Sequence, residues 1–139
     1  MENSTSITVE TIVHAPIEKV WEFWKNPDHI TKWSFASSDW HTPHAENDLK
    51  VGGQFKNSMA AKDGSVSFDF VGTYTAVAEH QKIEYTIEDG RTVRVVFDAL
   101  GEKTRITETF DAESTHPVEM QRNGWQAILD NFKKYTEEG

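Results

Sequence analysis

Several features are missing from this 139-residue sequence, and each absence excludes a class of protein. Without cysteine it cannot form disulfides or use a thiol nucleophile. No apolar run approaches the roughly 18 residues of a membrane-spanning helix, and the start MENSTSITVE does not resemble a signal peptide. Basic residues are few, and the net charge of −9 argues against nucleic acid or anionic membranes as partners. We predict a soluble, cytoplasmic protein without membrane insertion.

Motifs of catalysis and of metal binding are also scarce. There is no G-x-S-x-G elbow and no dinucleotide-binding fingerprint, and Gly52-Gly53 lacks the lysine and hydroxyl of a phosphate loop. The stretch HTPHAEND offers a set of possible zinc ligands, namely His41, His44, Glu46 and Asp48. Pro43 interrupts this stretch, however, and the spacing matches no zinc motif. We therefore predict neither a metal nor a cofactor.

Aromatic residues, by contrast, are abundant. Five Trp, eight Phe and three Tyr make up 12% of the chain. Such side chains either fill a core or line a cavity. A length of 139 residues fits one domain, 1–139, that is large enough to bury a core of its own.

The hydrophobic pattern predicts a strand, two helices, a meander and a last helix. Alternation over residues 6–13 indicates a strand, and helical spacing follows Pro16 and again Pro27. Residues 34–48 show neither period, so we predict a connecting loop with room for short extended pieces. From Gly53 onward alternation persists for about sixty residues. Turn signals divide this region into antiparallel neighbours, at Asp63-Gly64, Glu79-His80-Gln81, Asp89-Gly90 and Gly101-Glu102.

Within the meander, the alternation assigns one inward face. Outward positions are mostly polar, as a solvated face requires. The predicted inward residues are Phe55, Asn57, Met59, Phe68, Phe70, Gly72, Tyr74, Ala76, Ile83, Tyr85, Ile87, Val93, Val95, Phe97, Ala99, Ile106, Glu108 and Phe110.

The C-terminal segment MQRNGWQAILDNFKKY is an amphipathic helix with a glycine in its middle. Its apolar stripe contains Trp125, Ile128 and Phe132. A mid-helix glycine costs roughly 0.8–1 kcal/mol relative to alanine, which indicates that Gly124 has a role. Its missing Cβ would let a ligand approach, let the helix pack closely on the sheet, or let it bend.

Taken together, the segments APIEKVWEFWKNPDHITKW, NDLKVGGQF, DFVGTY, TRITETF and GWQAILDNFKKY resemble the START-like (SRPBCC) superfamily. More narrowly, they are similar to bacterial members related to the C-terminal domain of the activator of the ninety-kilodalton heat-shock chaperone's ATPase. The resemblance implies an α+β helix-grip fold, in which a curved antiparallel sheet wraps the long C-terminal helix around an apolar cavity. It also implies ligands such as lipids, sterols, polyketides or plant-type aromatic compounds.

On this basis we predict a ligand-binding cavity and its wall. The predicted wall consists of Trp33, Phe55, Asn57, Met59, Phe68, Phe70, Tyr74, Tyr85, Phe97, Glu108, Gly124, Trp125 and Ile128. Glu108 is the one weak catalytic candidate, because a buried carboxyl has a raised pKa and serves as an acid, a base or an anchor. The alternative is a structural Glu108, at the open rim or paired with the indole of Trp125.

Three functions remain open from the sequence. The first is a non-catalytic binder or carrier of a small hydrophobic, aromatic or lipid-like molecule. The second is a cyclase-like or hydrolase-like enzyme that acts on such a molecule through Glu108 and a tyrosine hydroxyl. The third is a stress-response module that interacts with a chaperone or another protein. The eukaryotic activator contacts its chaperone through an additional N-terminal domain, for which we expect no room in 139 residues.

Overall fold

The computed structural model describes residues 6–114 and 116–138. Its strands are β1 (Ser6–Val13), β2 (Trp40–Asn47), β3 (Gln54–Ala61), β4 (Ser67–Ala78), β5 (Lys82–Ile87), β6 (Thr92–Ala99) and β7 (Thr104–Asp111). The helices are α1 (Ile17–Lys25), α2 (Pro27–Trp33) and α3 (Val118–Glu138). No helix within these ranges combines the length and the apolar character needed to cross a lipid bilayer.

All the strands form one antiparallel sheet in the order β1-β7-β6-β5-β4-β3-β2. Strands β2 to β7 follow one another as a meander, and β1 closes the far edge by pairing with β7. The register places Tyr74 opposite Tyr85, Tyr85 opposite Val93, and Val93 opposite Phe110, so that one inward row crosses four strands. The sheet curls around α3, and the predicted helix-grip fold is confirmed.

Three of the predicted inward positions are not buried as predicted, namely Phe68, Ala76 and Ala99. The pairing of β4 with β5 shifts between Tyr74 and Ala76, so that Val77 pairs with Ile83 and packs against the core in place of Ala76. Such a bulge inverts the alternation of all residues that follow it. Ala99 keeps its phase but is exposed at the end of β6.

The prediction of a loop over residues 34–48 is also wrong, because β2 lies within it. This strand is at the edge of the sheet, where a proline is tolerated since half of its backbone groups need no partner strand. Its pairing with β3 shifts between His41 and His44, around Pro43. The shift places two exposed residues between the buried Thr42 and Ala45, and it thereby hides the period of two.

The predicted helix starts agree with the structure. Asn26 caps α2, because its Oδ1 accepts a hydrogen bond from the backbone N–H of Asp28 at 2.9 Å. Pro27 occupies the first turn of α2, where its missing N–H leaves no hydrogen bond unmade. Helix α1 follows Pro16 and buries Ile17, Val20 and Trp21.

The core is densest beneath the C-terminal half of α3. Phe132 is fully buried, and its ring meets those of Trp24 and Trp33 edge to face, each at 4.9 Å between centroids. Trp24 also meets Phe97 edge to face at 5.5 Å. These aromatic rings join α1, α2, β6 and α3 into one closed end of the molecule.

Candidate functional site

Between the inward face of the sheet and the N-terminal half of α3 lies a cavity of about 340 Å3. This volume is within the range of small-molecule sites in proteins, about 300–1,000 Å3. Its wall is formed by Trp24, Ile30, Trp33, Ser34, Phe55, Asn57, Met59, Phe68, Phe70, Tyr74, Ile83, Tyr85, Arg91, Glu108, Glu113, Gln121, Trp125, Ile128 and Leu129.

Aromatic rings make up much of this wall and are held in defined orientations. Phe55 meets Tyr85 edge to face at 4.8 Å and tilts against Phe70 at 5.5 Å. On the helix side, Trp125 stacks on Phe110 at 3.9 Å with 12° between the ring planes. Because each ring is fixed by another ring, the wall presents preformed flat apolar surfaces.

Glu108 is the main polar feature of the cavity. It lies between Ile106 and Phe110 in the sequence of β7, and only 7% of it is exposed. No residue in the described ranges donates a hydrogen bond to its carboxyl group or forms an ion pair with it. Burial raises the pKa of Glu108 to about 8, so the group is mostly neutral at pH 7. The alternative in which Glu108 pairs with the indole of Trp125 is not observed among the described residues, where that indole stacks on Phe110.

Two other polar side chains of the wall are similarly unpaired. Asn57 is 9% exposed, and its buried Oδ1 accepts no hydrogen bond. Tyr85 is buried, and its hydroxyl has no hydrogen-bonding partner in the part of the chain that the structure describes. Burial, with contributions from the nearby Glu108 and Tyr74, raises the pKa of Tyr85 well above its ordinary value. Oδ1 of Asn57, which is shut off from solvent, loses its hydration without compensation.

Tyr74, in contrast, has a structural role. Its hydroxyl donates a hydrogen bond to Oδ1 of Asn47 at 2.5 Å, and Nδ2 of Asn47 donates one to the carbonyl oxygen of Lys25 at 2.6 Å. This chain connects β4 and β2 to the end of α1. Burial raises the pKa of Tyr74, which therefore remains neutral and able to donate.

The rim of the cavity is fixed by hydrogen bonds of its own. Gln121 accepts a hydrogen bond from the backbone N–H of Glu113 at 2.9 Å and donates one to the carbonyl oxygen of His116 at 2.8 Å. Arg91 donates from Nε to Asp89 at 2.7 Å. These contacts hold the first turn of α3 and the β5–β6 turn in place.

Of the predicted cavity residues, all but Phe97 and Gly124 line the wall. Phe97 packs on the far side of the core, against Trp21 and Trp24. Gly124 does not border the cavity, and a Cβ placed on it would have no neighbour within 4 Å, so its missing side chain does not allow a close approach of the sheet. Phe68 lies at the mouth and is 50% exposed, and not buried as its inward phase predicts.

The glycine that matters for close packing is Gly72, on β4. A Cβ there would lie 2.4 Å from Cε2 of Phe55 and 3.0 Å from Cδ2 of Tyr85. The alternation placed Gly72 on the inward face, but sequence alone could not show that two rings occupy the space of its side chain. Gly72 is therefore what allows the aromatic cluster behind the cavity to form.

Sequence reasoning missed eight wall residues, namely Trp24, Ile30, Ser34, Ile83, Arg91, Glu113, Gln121 and Leu129. The apolar ones lie on the inward stripes already recognised. The hydrophobic period therefore indicates that they are buried, but it does not show that they border a cavity. The polar ones lie in or beside turns and at the start of α3, where no period applies. Their position follows from the curvature of the sheet.

The histidine and carboxylate cluster of β2 forms only one short contact, between Nε2 of His44 and Oε2 of Glu46 at 2.8 Å. Both side chains are exposed. Across residues 6–114 and 116–138, no three histidines or carboxylates converge as metal ligands.

The comparisons with known proteins assign the family. The sequence model described as activator of Hsp90 ATPase homolog 1-like protein matches residues 14–137. The chain belongs to this family. The solution structure of an AHSA1-like protein from Aeromonas hydrophila is 48% identical, with a TM-score of 0.90 over 96% of this chain and 93% of that one. The predicted resemblance is thereby confirmed.

Two further solved structures are also similar to this chain. A protein from Cytophaga hutchinsonii is 59% identical, with a TM-score of 0.83 over 96% of this chain and 92% of that one. A protein from Nitrosomonas europaea has the same TM-score at only 18% identity, over 96% and 94% of the chains, and shows a likeness of fold alone. No curated protein matches the sequence.

Proposed function

We propose that this AHSA1-like protein binds or carries a small hydrophobic molecule, aromatic or lipid-like, in the cavity between the sheet and α3. The observation that supports this function is a cavity of about 340 Å3 whose wall is largely aromatic. An apolar cavity of about 150 Å3 already binds benzene, so two fused rings are accommodated here. Binding is driven by transfer of the ligand's apolar surface out of water.

The five tryptophans provide a direct test. Trp24, Trp33 and Trp125 line the cavity, whereas Trp21 and Trp40 do not. Titration of 15N-labelled protein with naphthalene should shift the indole N–H resonances of the first three and leave the other two almost unchanged. Equal shifts of all five, or no shift at all, would contradict binding in the cavity.

A pair of variants on α3 sharpens this test. Ile128→Trp places bulk on a half-buried side chain of the wall, whereas Asn123→Trp places it on an exposed side chain of the same helix. The first should weaken naphthalene binding and the second should leave it unchanged. Native mass spectrometry of gently purified protein, compared with the denatured sample, then identifies a natural ligand by its mass.

Catalysis on such a ligand is the second candidate, because the carboxyl group of Glu108 has a pKa near neutrality and lies beside a buried tyrosine. Glu108→Gln retains the shape of the side chain but cannot transfer a proton. If the protein is an enzyme, this variant should lose turnover of the ligand found by mass spectrometry while retaining affinity. Unchanged recovery of the ligand after incubation with wild-type protein would exclude this candidate.

Interaction with a chaperone is suggested by the family description, which names an ATPase activator. This alternative predicts a small or absent cavity and an exposed apolar patch. The volume of about 340 Å3 argues for the ligand. If naphthalene does not bind, interaction with a chaperone becomes the favoured function.

A further inference from the structure

The unpaired polar groups of the cavity carry information about the ligand that its volume does not. This inference rests on the proposed function, because it concerns the polar end of a molecule held in the same cavity. Glu108 faces Val9 on β1 and Val95 on β6, both buried, so neither neighbouring strand supplies it with a charge or a hydrogen bond. The one basic residue of the described wall, Arg91, forms an ion pair with Asp89.

A second unpaired group lies on another part of the same wall. Asn57 is on β3, between Ala45 of β2 and Phe70 of β4, while Glu108 is on β7. Three strands separate β3 from β7 in the sheet, yet both side chains line one cavity because the sheet curls. A natural protein rarely buries two polar side chains without partners unless something else completes their hydrogen bonds.

A flat apolar platform adjoins the carboxyl group. Phe110 is the next inward residue after Glu108 on β7, and Trp125 stacks on it at 3.9 Å. Phe110 is buried behind the cavity wall, whereas Trp125 lines the cavity, so an aromatic ring that packs against Trp125 can carry a substituent toward Glu108. The substituent must suit an acid that is mostly neutral at pH 7 and ionised above pH 8. A hydroxyl group meets this demand, because it donates to a carboxylate and accepts from a carboxylic acid.

We infer that the ligand is a hydroxylated aromatic molecule whose hydroxyl group pairs with Glu108, with the amide of Asn57 as a second anchor for a polar group at the opposite end. A purely hydrocarbon lipid leaves both groups unpaired. A carboxylate ligand finds no unpaired cation in the described wall, because Arg91 is bound to Asp89.

The test compares two probes that differ by one hydroxyl group, naphthalene and 2-naphthol. A hydrogen bond to a buried group contributes about 1–1.5 kcal/mol, or roughly tenfold in affinity. The preference for 2-naphthol over naphthalene, measured as a ratio of Kd values, should therefore be about tenfold larger in wild type than in Glu108→Leu. Glu10→Gln, which alters an exposed carboxylate on the neighbouring strand, should keep the wild-type ratio.

A measurement on wild-type protein keeps the inference testable if Glu108→Leu fails to fold. The 13C resonance of the Glu108 carboxyl carbon should shift on addition of 2-naphthol and remain in place with naphthalene. If both probes bind with the same preference in wild type and Glu108→Leu, or if this resonance does not respond, the inference is wrong while the proposed function stands. If neither probe binds, both are wrong.

Discussion

The two halves of α3 lie on the same amphipathic stripe but differ in what they pack against. In the C-terminal half, Phe132 is fully buried against the rings of Trp24 and Trp33. In the N-terminal half, Trp125 and Ile128 are half-buried, and Met120 is 58% exposed. One half closes the core and the other leaves space beneath it. A single helical period therefore does not show whether a stripe fills a core or walls a cavity.

The polar contacts of the two halves differ in the same way. Four hydrogen bonds join the C-terminal half to other parts of the chain: Tyr135 to Nδ1 of His29 at 2.6 Å, Asn131 to the carbonyl oxygen of Phe35 at 2.6 Å, Lys133 to that of Ile12 at 2.9 Å, and the backbone N–H of His14 to Oε2 of Glu137 at 2.8 Å. The buried hydroxyl of Thr136, which has no partner, is an exception. Opposite the N-terminal half, the unpaired groups belong to Glu108 and Asn57, which face a space that a ligand can enter. The N-terminal half is also attached to the rest of the chain, through Gln121 and Gln126, so the two halves differ in the unpaired groups that they face.

The largest expected effect tests the closed end. Phe132→Ala removes a fully buried ring from between two tryptophans and should lower the free energy of unfolding by about 3–5 kcal/mol. Ile128→Ala, in the cavity wall, should cost less, because its side chain is only half-buried and already borders a space. Urea denaturation measures both. If the two variants lost the same unfolding free energy, the two halves of α3 would not differ in packing as described.

The next effect concerns the pH dependence of stability and originates in the cavity. The pKa of Glu108 is about 8 in the folded protein and about 4.3 in the unfolded chain. Between these values the folded state holds a proton that the unfolded state has lost, so Glu108 lowers stability progressively as the pH rises from about 4.3 to 8. The total is on the order of a few kcal/mol.

Glu108→Gln should abolish this contribution. The stability of the variant relative to wild type should rise across the same pH range and level off above pH 8. Glu10→Gln serves as the control, because it makes the same chemical change at an exposed position on the neighbouring strand. A constant difference between Glu108→Gln and wild type from pH 5 to pH 8 would mean that Glu108 is not held neutral in the folded protein.

Glu108 also shows how far the sequence alone predicts the site. Its phase between Ile106 and Phe110 placed it on the inward face, because each strand of a sheet with one buried face carries its own alternation. The strands, the helix caps and most of the wall follow from such local signals. The absence of hydrogen-bond partners for Glu108 does not follow from local signals, because it depends on which side chains of other strands the curled sheet places near it.

Where prediction failed, a long-range feature overrode the local pattern. The edge position of β2 and its register shift concealed a strand in a stretch that reads as a loop. Gly124 was assigned to the cavity because a mid-helix glycine suggests a close approach, yet the direction of its missing side chain depends on how α3 sits on the sheet. The close approach occurs instead at Gly72, where the ring of Phe55 occupies the space of a side chain.

The smallest expected effect separates these two glycines. Gly124→Ala adds a methyl group that meets nothing within 4 Å, and it should stabilise the protein by about 0.5–1 kcal/mol because alanine loses less backbone entropy in a helix. Naphthalene affinity should not change. Gly72→Ala, the matched control, forces the ring of Phe55 to move and should destabilise the protein. If Gly124→Ala instead destabilised the protein or weakened binding, the N-terminal half of α3 would lie closer to the sheet or ligand than its packing indicates. The two halves of α3 would then differ less in how closely they pack.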